Sequence, residues 1–180
     1  STQSITGKAT HQIIGGPSGL PTNLYPRLRL DLGLQQVAPV IEDYVIAIDL
    51  GETPLHLLGV DPFAEPPFRS FLTSVSVAGQ EANTFEALNA FIALPNTALI
   101  SEGTAARYGV QAGDTITLQP PDGRVEVRIV GLIQTPDENS AQALDSLILT
   151  DIATAQELIG TPDAITRIDL ILPESYDLAP

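Results

Sequence analysis

Two histidines, one lysine and no cysteine leave this 180-residue chain few groups from which a nucleophile and its base can be assembled. His11 and His56 each stand alone in a segment that reads as a strand, without the two-His spacing that grips a metal, so core or surface roles are expected for both. Gly16-Pro17-Ser18-Gly19-Leu20 approaches the G-x-S-x-G turn of a serine hydrolase and misses it at the last residue. Its glycines read as a means of turning the backbone. Gly7-Lys8-Ala9 lacks the upstream glycine and the following hydroxyl of a phosphate loop, which leaves Lys8 a surface residue. Asp137, Glu138 and Asn139 gather oxygens, but the alternating ligands, central glycine and closing Glu of a calcium loop are missing, and a flexible acidic loop is expected. Glu42 and Asp43 are adjacent in a predicted strand and point to opposite faces, which argues against a shared acid/base pair. The expectation is no catalytic, cofactor-binding or metal-binding residue.

Composition points the same way. The absence of cysteine removes disulfides, thiolate zinc sites and thiol nucleophiles together. A formal charge of −14 opposes binding to nucleic acid and to anionic headgroups. The acids concentrate at the end, with 9 acids and 1 base over 136–180 against 9 and 4 over 1–95. No apolar run approaches the roughly 20 residues that span a bilayer. The sequence also holds no methionine, which reads as a chain processed or excised from something larger. With 43% hydrophobic residues it has material for one substantial domain, or two small ones sharing a core.

The elements that must position these residues begin with a short strand, His11 to Ile14, broken by the Gly-rich run at 15–19. Leu24, Leu28 and Leu32 recur every four residues and predict a helix with Pro26 in its first turn and Gly33 at its end. Val37 to Leu50 predicts a long strand and Leu55 to Val60 its antiparallel partner across the turn at 51–54. Asp61 to Ser70, rich in proline, predicts an ordered loop. Asn83 is placed to cap a helix whose apolar face is Phe85, Leu88, Phe91 and Ile92, and which Pro95 stops. A helix from Ser101 to Tyr108 closed by Gly109, a strand at 115–118, the turn Pro121-Asp122-Gly123 and an alternating return strand make a small β unit. A polar loop over 134–143 leads to a strand at 147–149, a helix over 151–159 closed by Gly160, and a strand over 165–172. The strand-helix-strand units at the two ends are expected to share one sheet, with helices on one face.

This order resembles the extracytoplasmic (periplasmic core) domain of MacB-like and FtsX-type ABC transporter permeases. Three stretches carry the resemblance: Thr10-His11-Gln12-Ile13 with its Gly-rich turn, Leu-rich helix and the strand through Ala38-Pro39-Val40-Ile41-Glu42; Gly59-Val60-Asp61-Pro62; and Ala98-Leu99-Ile100-Ser101-Glu102 through Gly113-Asp114-Thr115-Ile116 to Val130-Gly131-Leu132. The resemblance implies an α+β fold: a porter-like lobe of strand-helix-strand units over 1–95 and 136–180, with an inserted small β-rich subdomain over 96–135. It implies a domain carried on the outer side of a cell membrane, between transmembrane helices of a dimeric permease served by a cytoplasmic ATPase, and itself monomeric in isolation. Its role there would be to couple ATP-driven change to export or to a partner outside the membrane. The long insertions with which some members grasp carriers or adaptors are absent from 180 residues, so an adaptor and a substrate both stay open as partners. No nucleic acid partner and no cofactor are implied. The alternatives are a free-standing secreted binding protein and an enzyme built on the small barrel, the latter requiring a deep pocket with converging carboxylates at Gly113-Asp114. Within the Pro-rich loop, Phe63, Phe68 and Phe71 are the candidate partner contacts, since aromatic rings are costly to leave in water; burial as a plug under the sheet is the competing role.

Overall fold

The computed structural model describes residues 7–70, 72, 75–76, 84–135 and 137–176. Its strands are β1 (His11–Ile14), β2 (Leu20–Pro21), β3 (Val37–Ala47), β4 (Thr53–Val60), β5 (Val75–Ser76), β6 (Thr97–Ser101), β7 (Thr115–Gln119), β8 (Val125–Ile133), β9 (Leu147–Asp151), β10 (Ala164–Ile165) and β11 (Arg167–Leu170). Its helices are α1 (Leu24–Leu30), α2 (Thr84–Ala93), α3 (Glu102–Tyr108), α4 (Glu138–Asp145) and α5 (Ile152–Ile159). Nine strands form one mixed sheet along the path β1-β11-β3-β4-β9-β6-β8-β5, with β7 bridging β3 and β8; β2 and β10 pair separately.

Alternation along the strands sends side chains to two cores. Ile41, Val45, Leu57, Ile100, Ile148 and Ile168 face Leu28 of α1, Ala105 of α3 and Leu158 of α5. Val40, Leu58, Leu99, Leu147 and Leu149 face Ala87 and Phe91 of α2 and Leu144 of α4. Helices therefore cover both faces of the sheet, where one covered face was expected. The physical reason lies in β4, β6 and β9, which are apolar on both sides and must be buried on both. The strands of 96–135 belong to the same sheet, since β6 pairs with β9 and β7 pairs with β3.

Several elements depart from the expected boundaries. Helix α1 stops at Leu30, and Leu32 lies exposed beyond it; Gly33 takes its left-handed φ of 65° in the turn that follows. The long third strand ends at Ala47 and continues as a 3-10 turn over Ile48–Leu50. The segment expected as a flexible acidic loop is helix α4: Asp137 accepts from the Ser140 amide at 2.7 Å and caps it. That hydrogen bond holds the Asp137 carboxyl below its ordinary pKa. The expected cap Asn83 lies outside the described residues.

Gly59 shows why the Gly59-Val60-Asp61-Pro62 stretch has its composition. A Cβ at Gly59 would overlap that of Ala155, so only glycine lets α5 lie this close on β4. Val60 ends the strand buried, and Asp61 starts the loop.

Candidate contact surface

Of the three phenylalanines expected to meet a partner, two lie in opposite surroundings. Phe68 is 1% exposed and packs with Ala38 and Ala64 against the second face of the sheet: it is the plug. Phe63 is 77% exposed. Phe71 lies outside the described residues. The loop's own sequence creates the split. Asp61 accepts from the Phe63 amide at 2.9 Å through its side chain, and its carbonyl accepts from the amides of Ala64 and Glu65, a tight turn that leaves Phe63 on the outside. A second turn, in which the Glu65 carbonyl accepts from the amides of Phe68 and Arg69, sends Phe68 inward.

Below the turn runs a ladder of charges drawn from distant parts of the chain. The Arg69 guanidinium pairs with Glu65 and donates to Asp169 Oδ2 at 2.7 Å, with all three side chains fully buried. Asp169 also accepts from Arg167 Nε at 2.9 Å and from Gln12 at 3.0 Å. Arg167 pairs in turn with Glu42, whose other oxygen lies 3.7 Å from His56 Nε2. Burial pushes the Glu65 carboxyl up to about 7 even though Arg69 opposes the rise, and its Oε2 has no hydrogen-bond partner among the described residues. Burial pulls the Arg167 guanidinium down, but Glu42 and Asp169 more than reverse this and hold it above its ordinary value. A signal for the ladder was present in the sequence: Arg167 and Asp169 alternate with Ile168 and Leu170 in a strand that turns out to be buried on both sides.

His56 closes the ladder at the surface, its ring stacked on Tyr44 with centroids 5.1 Å apart. His11 is exposed and hydrogen-bonds the neighbouring Thr10 hydroxyl. No cluster of three metal-binding side chains occurs among the described residues. At Gly113 there is an open hollow of about 350 Å³ lined by Glu86 and Arg128, with Glu86 its one carboxylate among the described residues.

The apolar groove lies elsewhere. Phe63 and Val60 form one wall of a hollow of about 340 Å³ whose floor includes Ile92, Ile152 and Ala153. It continues, through Ile92, Asp151, Ala153 and Gln156, into a second hollow of about 380 Å³ that reaches Leu94 and Pro95. Ile92 is 37% and Leu94 45% exposed, so three large apolar side chains are offered along one trough. Tyr25 steadies its end, donating to Asp61 at 3.3 Å while accepting from Arg29 at 3.1 Å. Burial raises the Tyr25 phenol and keeps it a donor.

The trough has a filled counterpart. Ser101, Thr104 and Ala105 at the start of α3 match Asp151, Thr154 and Ala155 at the start of α5; each first residue caps its helix by accepting from the Thr amide. Gly109 and Gly160 close the two helices in left-handed conformation. The preceding strands, β6 and β9, are antiparallel neighbours with Leu99 opposite Leu149, so a local two-fold axis between these residues relates the units. At α3 the junction is shut: Asp145 at the end of α4 accepts from Ser101 at 2.5 Å, and its carbonyl accepts from Thr104 at 2.9 Å. At α5 the corresponding position is Pro95, which has no such acceptor side chain, and the junction is the open trough. This repeat is visible in the sequence only when Ser101-x-x-Thr104-Ala105 is set beside Asp151-x-x-Thr154-Ala155.

Comparison with known proteins covers nearly the whole chain. Residues 2–179 match the family described as MacB-like periplasmic core domain. The chain is 42% identical over 174 residues to the uncharacterized ABC transporter permease protein Rv0987 of Mycobacterium tuberculosis, which accounts for 97% of this chain and 19% of that protein. Two solved structures share the fold. One is the extracellular domain of the noncanonic ABC-type transporter YknZ from Gram-positive bacteria, with TM-score 0.57 and 14% identity, covering 89% of this chain and 76% of that one. The other is the periplasmic region of MacB from Actinobacillus actinomycetemcomitans, with TM-score 0.53 and 12% identity, covering 92% and 69%.

Proposed function

The chain belongs to the MacB-like periplasmic core domain family, and from that premise we propose that it is the outward-facing domain of an ABC transporter permease, coupling ATP-driven movement to contacts outside the membrane. The observation that carries this reading is the match of the whole chain to that family together with the 42% identity to a permease about five times longer. The fold supports it. His11 pairs with Leu170 at the edge of the sheet, and the Thr10 amide and hydroxyl are tied to the backbone of Leu170 and Leu172, which brings the two ends of the described chain side by side. Such an arrangement suits a domain carried between two membrane-spanning helices of a permease that works as a dimer with a cytoplasmic ATPase, the domain alone being a monomer. The work is contact and not catalysis, and Phe63 beside the trough is the contact residue.

Two measurements test this. In the full permease freed of other cysteines, Ser18→Cys, exposed on the Gly-rich turn, is expected to react with a membrane-impermeant maleimide in intact cells. Reaction only after permeabilisation would exclude an outward-facing domain. In the permease reconstituted with its ATPase, Phe63→Ser is expected to lower transport while leaving basal ATP hydrolysis near its starting rate. Unchanged transport would remove Phe63 from the contact surface.

A further inference from the structure

We propose that the trough between α2 and α5 seats a cationic amphipathic polypeptide segment, a reading that rests on the contact role given to Phe63. Shape is the first argument. The two hollows join end to end and are open along one side, whereas a small-molecule site encloses most of its ligand. A long open trough with apolar anchors at intervals fits one face of a helix or an extended strip of chain.

Charge is the second. Asp61, Asp151 and Glu157 are distributed along the trough from the Phe63 end to the Pro162 end, and among the described residues no Lys, Arg or His lines either hollow. Arg29 approaches one end, where it is engaged with Tyr25 beside Asp61. A segment with apolar side chains on one face and lysine or arginine flanking them meets both the floor and the rim. Anionic surfaces, and a second copy of a chain with formal charge −14, are repelled by the same carboxylates.

The internal two-fold is the third. At the equivalent junction the seat against the start of α3 is taken by the end of α4, a segment of polypeptide. Pro95 stands where Asp145 makes that closure. The segment equivalent to the end of α4 is thus present at the open junction but leaves it unclosed, and the space beside it is free for an occupant supplied from elsewhere.

The test titrates the isotope-labelled chain with a designed Leu/Lys amphipathic helix, and with twins in which every Lys is Gln or Glu. Shifts confined to the amides of Phe63, Ile92, Ala153 and Gln156 are expected with the Lys helix. Binding should weaken roughly tenfold in Phe63→Ala, and should weaken in Glu157→Lys and with added salt. Both sites are exposed, so both variants are expected to fold. Shifts dispersed over the acidic surface, Asp137 and Glu138 included, would overturn the site. Equal binding of the Glu helix at the trough would overturn the charge requirement and leave the contact role of Phe63 standing. No shift at the trough with any of the three helices would remove the proposed seat, while the transport measurement on Phe63→Ser judges the contact role separately. Concentration-dependent shifts there without peptide would make a second copy the occupant and overturn the proposal.

Discussion

The junctions at the starts of α3 and α5 are built on one local pattern and end in opposite states. Both have an oxygen-bearing cap, a buried Thr three residues on, a buried Ala beside it and a closing glycine. The Gly103 position shows what separates them. A Cβ there would come within 2.6 Å of an Asp145 oxygen, whereas Ala153, its counterpart, is exposed on the floor of the trough. Capping chemistry decides that a helix begins, but the segment packed against that start decides whether its first turn is covered. A site here is therefore a neighbour that does not close, and its open wall has to be held by something else. That something is the loop from Asp61 to Arg69.

The sharpest way to break the comparison is to release that wall. Arg69→Met leaves Glu65 and Asp169 as buried carboxylates without their shared cation and is expected to cost about 3–5 kcal/mol in urea unfolding. A loss under about 1 kcal/mol would show that the pairs do not hold the loop. Next in size is a dependence on pH. The Glu65 pKa near 7 in the folded chain exceeds its ordinary value of 4.5, so the fold binds the extra proton between these values. The Glu65 contribution to stability is therefore greatest below about pH 4.5 and is lost as pH rises through 7. The difference in unfolding free energy between the chain and Glu65→Gln should move in that direction across the window, and a flat difference would contradict it.

The closed junction gives smaller numbers. Asp145→Ala removes the acceptor of Ser101 and should cost about 1.5–3 kcal/mol. Gly103→Ala should cost about 1–2 kcal/mol by crowding Asp145, while Ala153→Leu at the matching position should stay within about 0.5 kcal/mol. Equal costs at the two positions would mean that the junctions are not open and shut as described.

Much of this was legible from residue order. The apolar runs in β3, β4 and β9 marked the sheet, and Gly109 and Gly160 marked the helix ends they form. Helix α4 was hidden because its apolar contribution to the core is Leu144 and its start, Asp137 to Ser140, has the composition of a loop. Phe63 and Phe68 were not separable in advance, since which ring turns inward depends on two consecutive turns and not on a period. The buried Glu65-Arg69-Asp169 set joins residues about a hundred positions apart, so spacing carried no trace of it. The coverage of both sheet faces was readable in principle from the unbroken apolar runs Ala98 to Ile100 and Leu147 to Leu149.

The pairing of His11 with Leu170 bears on how the fold answers a force applied at its described ends. The two ends enter an antiparallel pair from the same side. A force that spread them apart would open the ladder one rung at a time, beginning at Thr10, where two hydrogen bonds of 2.9 Å to Leu170 and Leu172 take the first strain. A force that moved both ends together would load the whole nine-stranded sheet at once and open none of it. The fold is thus weak to a force that pries its described ends apart and stiffer to one that moves them in step.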